Sequence, residues 1–107
     1  MNREEQLACI KERCSTGRLR WTQHIMTRLI QRNISIKDVV YALSAGEIIE
    51  EYPTDYPYPS CLILGCSIAG HSLHIVCGIG PEELYLITAY YPDSAVWSAD
   101  SKERKSD

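Results

Sequence analysis

Ser35-Ile36-Lys37-Asp38-Val39-Val40-Tyr41-Ala42-Leu43-Ser44-Ala45-Gly46-Glu47-Ile48-Ile49-Glu50-Glu51-Tyr52 changes period halfway along its length. Up to Ala45 the apolar residues Val39, Val40, Ala42 and Leu43 recur at helical spacing. Ser35 with Asp38 three residues on resembles a capping box, with Asp in place of Glu, and Gly46 closes the helix. Beyond Gly46, Ile48-Ile49-Glu50-Glu51-Tyr52 reads as a strand. The switch at Gly46 divides the chain into a helical half and a stranded half.

Toward the N-terminus, residues 2–14 read as a first helix, with Leu7, Ile10 and Cys14 at helical spacing and Gly17 as its stop. Thr22 is a candidate N-cap for a second helix that reaches Arg32. Its apolar stripe is Ile25, Met26, Leu29 and Ile30, and Asn33 can take the left-handed conformation that ends it. Toward the C-terminus, Pro53, Asp55, Pro57 and Pro59 form a stiff loop. Strands are expected over residues 61–68, 71–79 and 84–91, with Ala69-Gly70 a tight turn and Gly80-Pro81 a break. Helices followed by a meander of strands give an α+β fold, with two to three N-terminal helices packed on a four-stranded antiparallel sheet. Residues 1–97 are expected to form a single domain. Residues 98–107 lack apolar side chains apart from one alanine and are expected to be a disordered tail.

A chain of 107 residues, 45% hydrophobic, can bury one core. No apolar run approaches the ~20 residues of a membrane span, and Met1-Asn2-Arg3-Glu4-Glu5 is too polar for a secretion signal. A cytoplasmic protein without a membrane is expected. The five cysteines, an odd number in apolar periodic segments, suit a reducing compartment where thiols act as small buried hydrophobes. The net charge of −3 is unevenly spread. Residues 1–40 hold eight basic and four acidic side chains; the remainder holds three basic and ten acidic. A basic helical half can face a polyanion, whereas the acidic total argues against strong nonspecific nucleic-acid binding.

The chemistry-bearing residues fall in two places. His24 and Arg28 are four apart, so one helix face carries both. Imidazole moves protons near neutral pH, and guanidinium binds phosphate through a planar fork. The same pair is common on solvated helix faces. In the strands, alternation sets Ser72, His74, Val76 and Gly78 against the more apolar Leu73, Ile75 and Cys77. It also sets Leu84, Leu86, Thr88 and Tyr90 on one face of the last strand. His74 is either a partly buried structural histidine or a working group; Thr88 and Tyr90 suit strands in any case. Cys61, Cys66, His71 and His74 have the wrong spacing for familiar zinc sites, and Cys61 and Cys66 point to opposite faces of a strand. No metal or other cofactor is expected. No cysteine has the setting that lowers a thiol pKa, and no glycine-rich phosphate loop is present.

Several segments resemble one family. They are Thr22-x-His24-x-x-x-Arg28, Arg32-Asn33-Ile34-Ser35-Ile36-x-x-Val39, Gly46-Glu47-Ile48-Ile49-Glu50-x-Tyr52-Pro53, Tyr58-Pro59-Ser60-Cys61-Leu62-Ile63-Leu64-Gly65, Leu73-His74-Ile75-Val76 and Thr88-Ala89-Tyr90-Tyr91-Pro92-Asp93-x-x-x-Trp97. The family is a group of small bacterial proteins catalogued as domain of unknown function 4258, and the resemblance spans about residues 20–97. The family looks like a distant relative of RelE-type toxin ribonucleases, and its members are often paired with small zinc-ribbon antitoxin-like proteins. The resemblance implies a RelE-like fold, RNA as a partner, and His24, Arg28, His74, Thr88 and Tyr90 as matching motif positions. The chain departs from the pattern at Cys77-Gly78-Ile79-Gly80, where members more often carry larger apolar residues. Glycine there puts the end of the strand, and any groove beside it, in question.

The expected function is a metal-independent endoribonuclease, the toxin of a toxin–antitoxin pair. A base takes the 2′-OH proton, an acid protonates the leaving 5′-oxygen, and a cation steadies the phosphorane. His24 and His74 would move protons, Arg28 would hold the phosphate, and Tyr90 would orient or donate. These groups would line a shared depression between the second helix and the sheet. The rival expectation is a non-catalytic protein-interaction module.

Overall fold

In the computed structural model, residues 1–105 are described. Helix α1 (Arg3–Ser15) opens on a reciprocal cap. The Asn2 side chain accepts from Glu5 N at 2.8 Å, and Asn2 N donates to Glu5 Oε1 at 3.1 Å. Strand β1 (Leu19–Trp21) follows. Thr22 caps α2 (Gln23–Arg32) by accepting from Ile25 N, and Asn33 ends it at φ 55°. Ser35 caps α3 (Ile36–Ala45). The Asp38 carboxylate leaves that cap unreciprocated and accepts from Ile68 N at 2.9 Å, tying α3 to a turn of the sheet.

The remaining strands are β2 (Glu47–Tyr52), β3 (Ser60–Cys66), β4 (Ser72–Ile79) and β5 (Leu84–Tyr90). The fold is α+β, but the sheet has five strands in the order β1-β5-β4-β3-β2 and is mixed rather than purely antiparallel. β1 pairs in parallel with β5, Leu19 beside Leu84 and Trp21 beside Leu86. Three residues are too few to show a period, which is why the sequence reading omits β1. The long stretch between the two strands is the crossover that a parallel pair requires.

All three helices cover one face. Ile10, Ile25, Leu29, Val39, Ala42 and Leu43 pack there against Ile63, Leu73, Ile75, Leu84 and Leu86. Removing these side chains from water is the main stabilisation of the fold. Two bulges decide what reaches the opposite, outer face. β2 shifts register between Ile48 and Glu50, so Ile48 joins the core while Glu50 turns outward. β5 shifts opposite Val76 and Cys77: Cys77 pairs with Leu86 and Val76 with Thr88, leaving Ile87 as the extra residue. Leu84 and Leu86 therefore face the helices, whereas Thr88 and Tyr90 face outward beside Val76 and His74. The strict alternation expected for this strand does not hold across the bulge.

The tail expected over residues 98–107 also differs from expectation as far as it is described, through residue 105. Rather than lacking structure, Trp97–Lys105 doubles back across the outer face, with Trp97 paired to Arg104 and Lys105 N donating to Val96 O at 2.7 Å. Composition misses this because polar contacts and one buried indole fix the segment. Asp107 and Ser106 lie outside the described residues. Among the described residues no helix is long and apolar enough to cross a membrane.

Candidate functional site

The outer face carries a row of polar side chains that starts at the open edge of β5. β1 covers β5 only as far as Leu86, so among the described residues the edge beyond it lacks a strand partner. Arg32, in the last turn of α2, reaches that edge. Its guanidinium donates to Ala89 O at 2.7 Å and to Thr88 Oγ1 at 3.3 Å. From Thr88 the row passes to Tyr90, whose hydroxyl lies 3.3 Å from His74 Nδ1, the two residues being register partners.

His74 is fully buried, at 0% exposure. Trp97 packs edge-on against its ring at a centroid distance of 4.4 Å. His74 Nε2 lies 2.8 Å from the carbonyl of Ser101. A carbonyl only accepts, so Nε2 carries the proton and Nδ1 accepts from the Tyr90 hydroxyl. Burial holds the imidazole pKa below its ordinary value, against the opposing pull of the Ser101 carbonyl and the Glu50 carboxylate. His74 is therefore neutral at pH 7. Burial likewise raises the Tyr90 phenol above its ordinary value.

Glu50 and Arg104 anchor the covering segment. Arg104 donates from Nε and Nη2 to the two Glu50 oxygens at 3.0 and 3.1 Å and lies over the Trp97 ring at 4.6 Å. Tyr52 donates to Glu50 at 2.6 Å. Burial pushes the Glu50 carboxyl up, but the bonds from Arg104 and Tyr52 outweigh it and leave the group below its ordinary value. Tyr52 is raised to about 12, by burial and by the neighbouring carboxylate. Lys102 pairs with Glu47 at 2.9 Å.

Of the five residues singled out in the sequence, the fold gathers His74, Thr88 and Tyr90 on the outer face. His24 and Arg28 stand on α2, two turns and one turn before Arg32 respectively, and Arg28 donates to Gln31 Oε1 at 2.9 Å. His24 is exposed, whereas His74 is sealed beneath Trp97 and Ser101, so the open depression expected to hold both imidazoles is not formed. Sequence reasoning overlooked Arg32, although its position four residues after Arg28 continues the His24–Arg28 stripe. It also overlooked Glu50, because no periodicity reveals the bulge that turns it outward. Among the described residues no group of three or more His, Cys, Asp and Glu side chains gathers as a metal site. Cys61 faces the helices, its Sγ 3.7 Å from that of its cross-strand partner Cys77, while His74 faces away. The hydrogen bond with the free Cys61 thiol, together with burial, raises the Cys77 pKa well above its ordinary value, which suits an inert thiol.

No curated protein and no solved structure matches the chain. Residues 21–91 match the family described as Domain of unknown function (DUF4258), a span from the end of β1 to just past β5. The chain belongs to that family.

Proposed function

We propose that this member of the DUF4258 family is a metal-independent endoribonuclease, the toxin of a toxin–antitoxin pair with a RelE-like fold. The observation that carries the reading is the Arg32–Thr88 contact, which joins the His24–Arg28–Arg32 stripe of α2 to the Tyr90–His74 pair across the open edge of β5. Two imidazoles, cationic guanidinium groups and a phenol are the equipment for cleaving RNA through its own 2′-OH. His74, held neutral, suits the base that takes the 2′-OH proton once the Ser101 carbonyl has left Nε2: the ring proton then sits on Nδ1, donated to the Tyr90 oxygen, and the Nε2 lone pair is free. His24 then supplies the acid, Arg28 and Arg32 hold the phosphate, and Tyr90 orients His74. Trp97 and Ser101 cover His74, so cleavage on this reading requires the Trp97–Lys105 segment to lift from the sheet. A small zinc-ribbon antitoxin-like protein is the proposed partner and the cytoplasm the proposed location.

Incubation with single-stranded RNA in excess EDTA tests the reading, with DNA of the same sequence as control. RNA should be cut and DNA spared, because DNA lacks the 2′-OH. A chain ending at Pro92, which uncovers His74, should cut faster than the full chain. Equal cleavage of DNA, or a requirement for Mg²⁺, contradicts it. The rival reading, a protein-interaction module, draws on the seal itself, since both His74 ring nitrogens already have partners within the fold. RNA left intact by both full and shortened chains, with tight binding of a partner protein, would select it.

A further inference from the structure

Gly78, where the chain departs from the family pattern, forms part of the wall of an aromatic slot on the outer face. The slot has a volume of about 270 Å³ and is lined by Thr22, Asp55, Tyr56, Tyr58 and Tyr85 as well. β4 remains regular through Ile79, so glycine does not break the strand here. A Cβ at Gly78 would stand in ordinary contact, 3.6 Å from Ile87 Cδ1 and 3.8 Å from Tyr85 Cβ. Anything larger would project into the slot. Tyr58 and Tyr85 stack at 5.1 Å with 31° between their planes, and Tyr56 stands almost free at 95% exposure. Arg20, 59% exposed at its side chain, lies 6.0 Å over the Tyr85 ring and pairs with Glu83.

We propose that this slot binds one nucleobase of single-stranded RNA and prefers a base with an exocyclic amine. The ligand class follows from three features. Tyrosine faces offer stacking to any flat ring. Asp55, whose Oδ2 accepts from the Ser60 hydroxyl, keeps Oδ1 for an amino donor, which adenine, cytosine and guanine have and uracil lacks. The Arg20 guanidinium stands over the Tyr85 ring and pairs with Glu83 through Nε and Nη2, which leaves Nη1 to donate to the phosphate that a nucleobase carries. Thr22 places the slot beside the first turn of α2, so a base held here sets its phosphate toward the N–H groups that open the helix and toward His24. The inference rests on the ribonuclease reading for its choice of RNA, and it assigns that site a base preference.

Fully 2′-O-methylated hexamers UUUXUU, with X each of the four bases, measure binding without cleavage, because the nucleophile is blocked. Fluorescence anisotropy should show A, C and G at X binding more tightly than U. Gly78→Val, which fills the slot with a strand-favouring side chain, should weaken binding about 5- to 100-fold, the size of one lost stacking contact. Tyr56→Ala, at a side chain that packs on nothing, should do the same and serves if Gly78→Val fails to fold. Asp55→Asn should keep the stacking and erase the preference for amino-bearing bases. Binding of all four hexamers unchanged in Tyr56→Ala, at an unaltered melting temperature, overturns the proposal. So does wild-type protein that binds none of them, or whose Tyr58 and Tyr85 resonances respond to tetramethylammonium instead. Hexamer binding with this pattern and no cleavage of unmodified RNA would leave the slot standing and remove only the catalytic reading.

Discussion

His74 carries its proton on Nε2, and that single assignment has consequences for stability. Burial lowers its pKa in the folded protein, so the unfolded chain binds the extra proton more readily. Stability is therefore fully present above the unfolded histidine value of about 6.5 and is lost as pH falls below it toward the lower folded value. Denaturant midpoints should fall between about pH 7 and pH 5, and His74→Gln, which can still donate to Ser101 O, should flatten that part of the slope. In catalysis the same residue should matter by on the order of 10²–10⁴ in rate, the usual worth of a general base, and His24→Ala should cost a similar factor. Arg28→Lys should hurt nearly as much as Arg28→Ala, because an ammonium lacks the fork that holds two phosphate oxygens. The imidazole at position 74 was legible in the sequence as a mid-strand histidine on the less apolar face. Partial burial was one of its two readings; complete burial was not legible, because the groups that cover it come from a segment with no apolar pattern.

At the scale of elements, the caps were the most readable features. Thr22, Ser35 and Asn33 each act where turn chemistry places them. Gly46 ends α3 in extended backbone at φ −82°, so its role is closeness rather than a left-handed turn; a Cβ there would lie 2.5 Å from Ile63 Cγ2. Gly65 is the second such contact, since a Cβ would come within 2.7 Å of the Ala42 Cα and the α3 backbone cannot give way. Gly65→Ala should therefore cost about 1–3 kcal/mol by overpacking, read from chemical denaturation. The bulges at Ile49 and Ile87 escaped the sequence reading because each adds one residue without any change of composition. They nonetheless choose which side chains reach the outer face: without the bulge in β5, Thr88 and Tyr90 would share the helix-covered face with Leu84 and Leu86.

Across the whole molecule, the sheet separates two kinds of packing. Helices and aliphatic side chains fill one face, and a polar segment pinned by Trp97 covers the other. Arg104 is 54% exposed at its side chain, so its ion pair with Glu50 contributes under about 1 kcal/mol and weakens with salt. The buried indole contributes more, and Trp97→Ala should cost about 3 kcal/mol. Hydrogen exchange of the His74 and Tyr90 amides should be faster in Arg104→Ala at high salt than in the wild type at low salt. The RNA termini left after digestion in excess EDTA distinguish attack by the RNA's own 2′-OH from any other route of cleavage. The expected products are 2′,3′-cyclic phosphates and 5′-hydroxyls, left by attack of the 2′-OH, formed faster by the chain ending at Pro92 and lost in the His24→Ala/His74→Ala double variant. Termini bearing a 5′-phosphate, or full activity in the double variant, would contradict it.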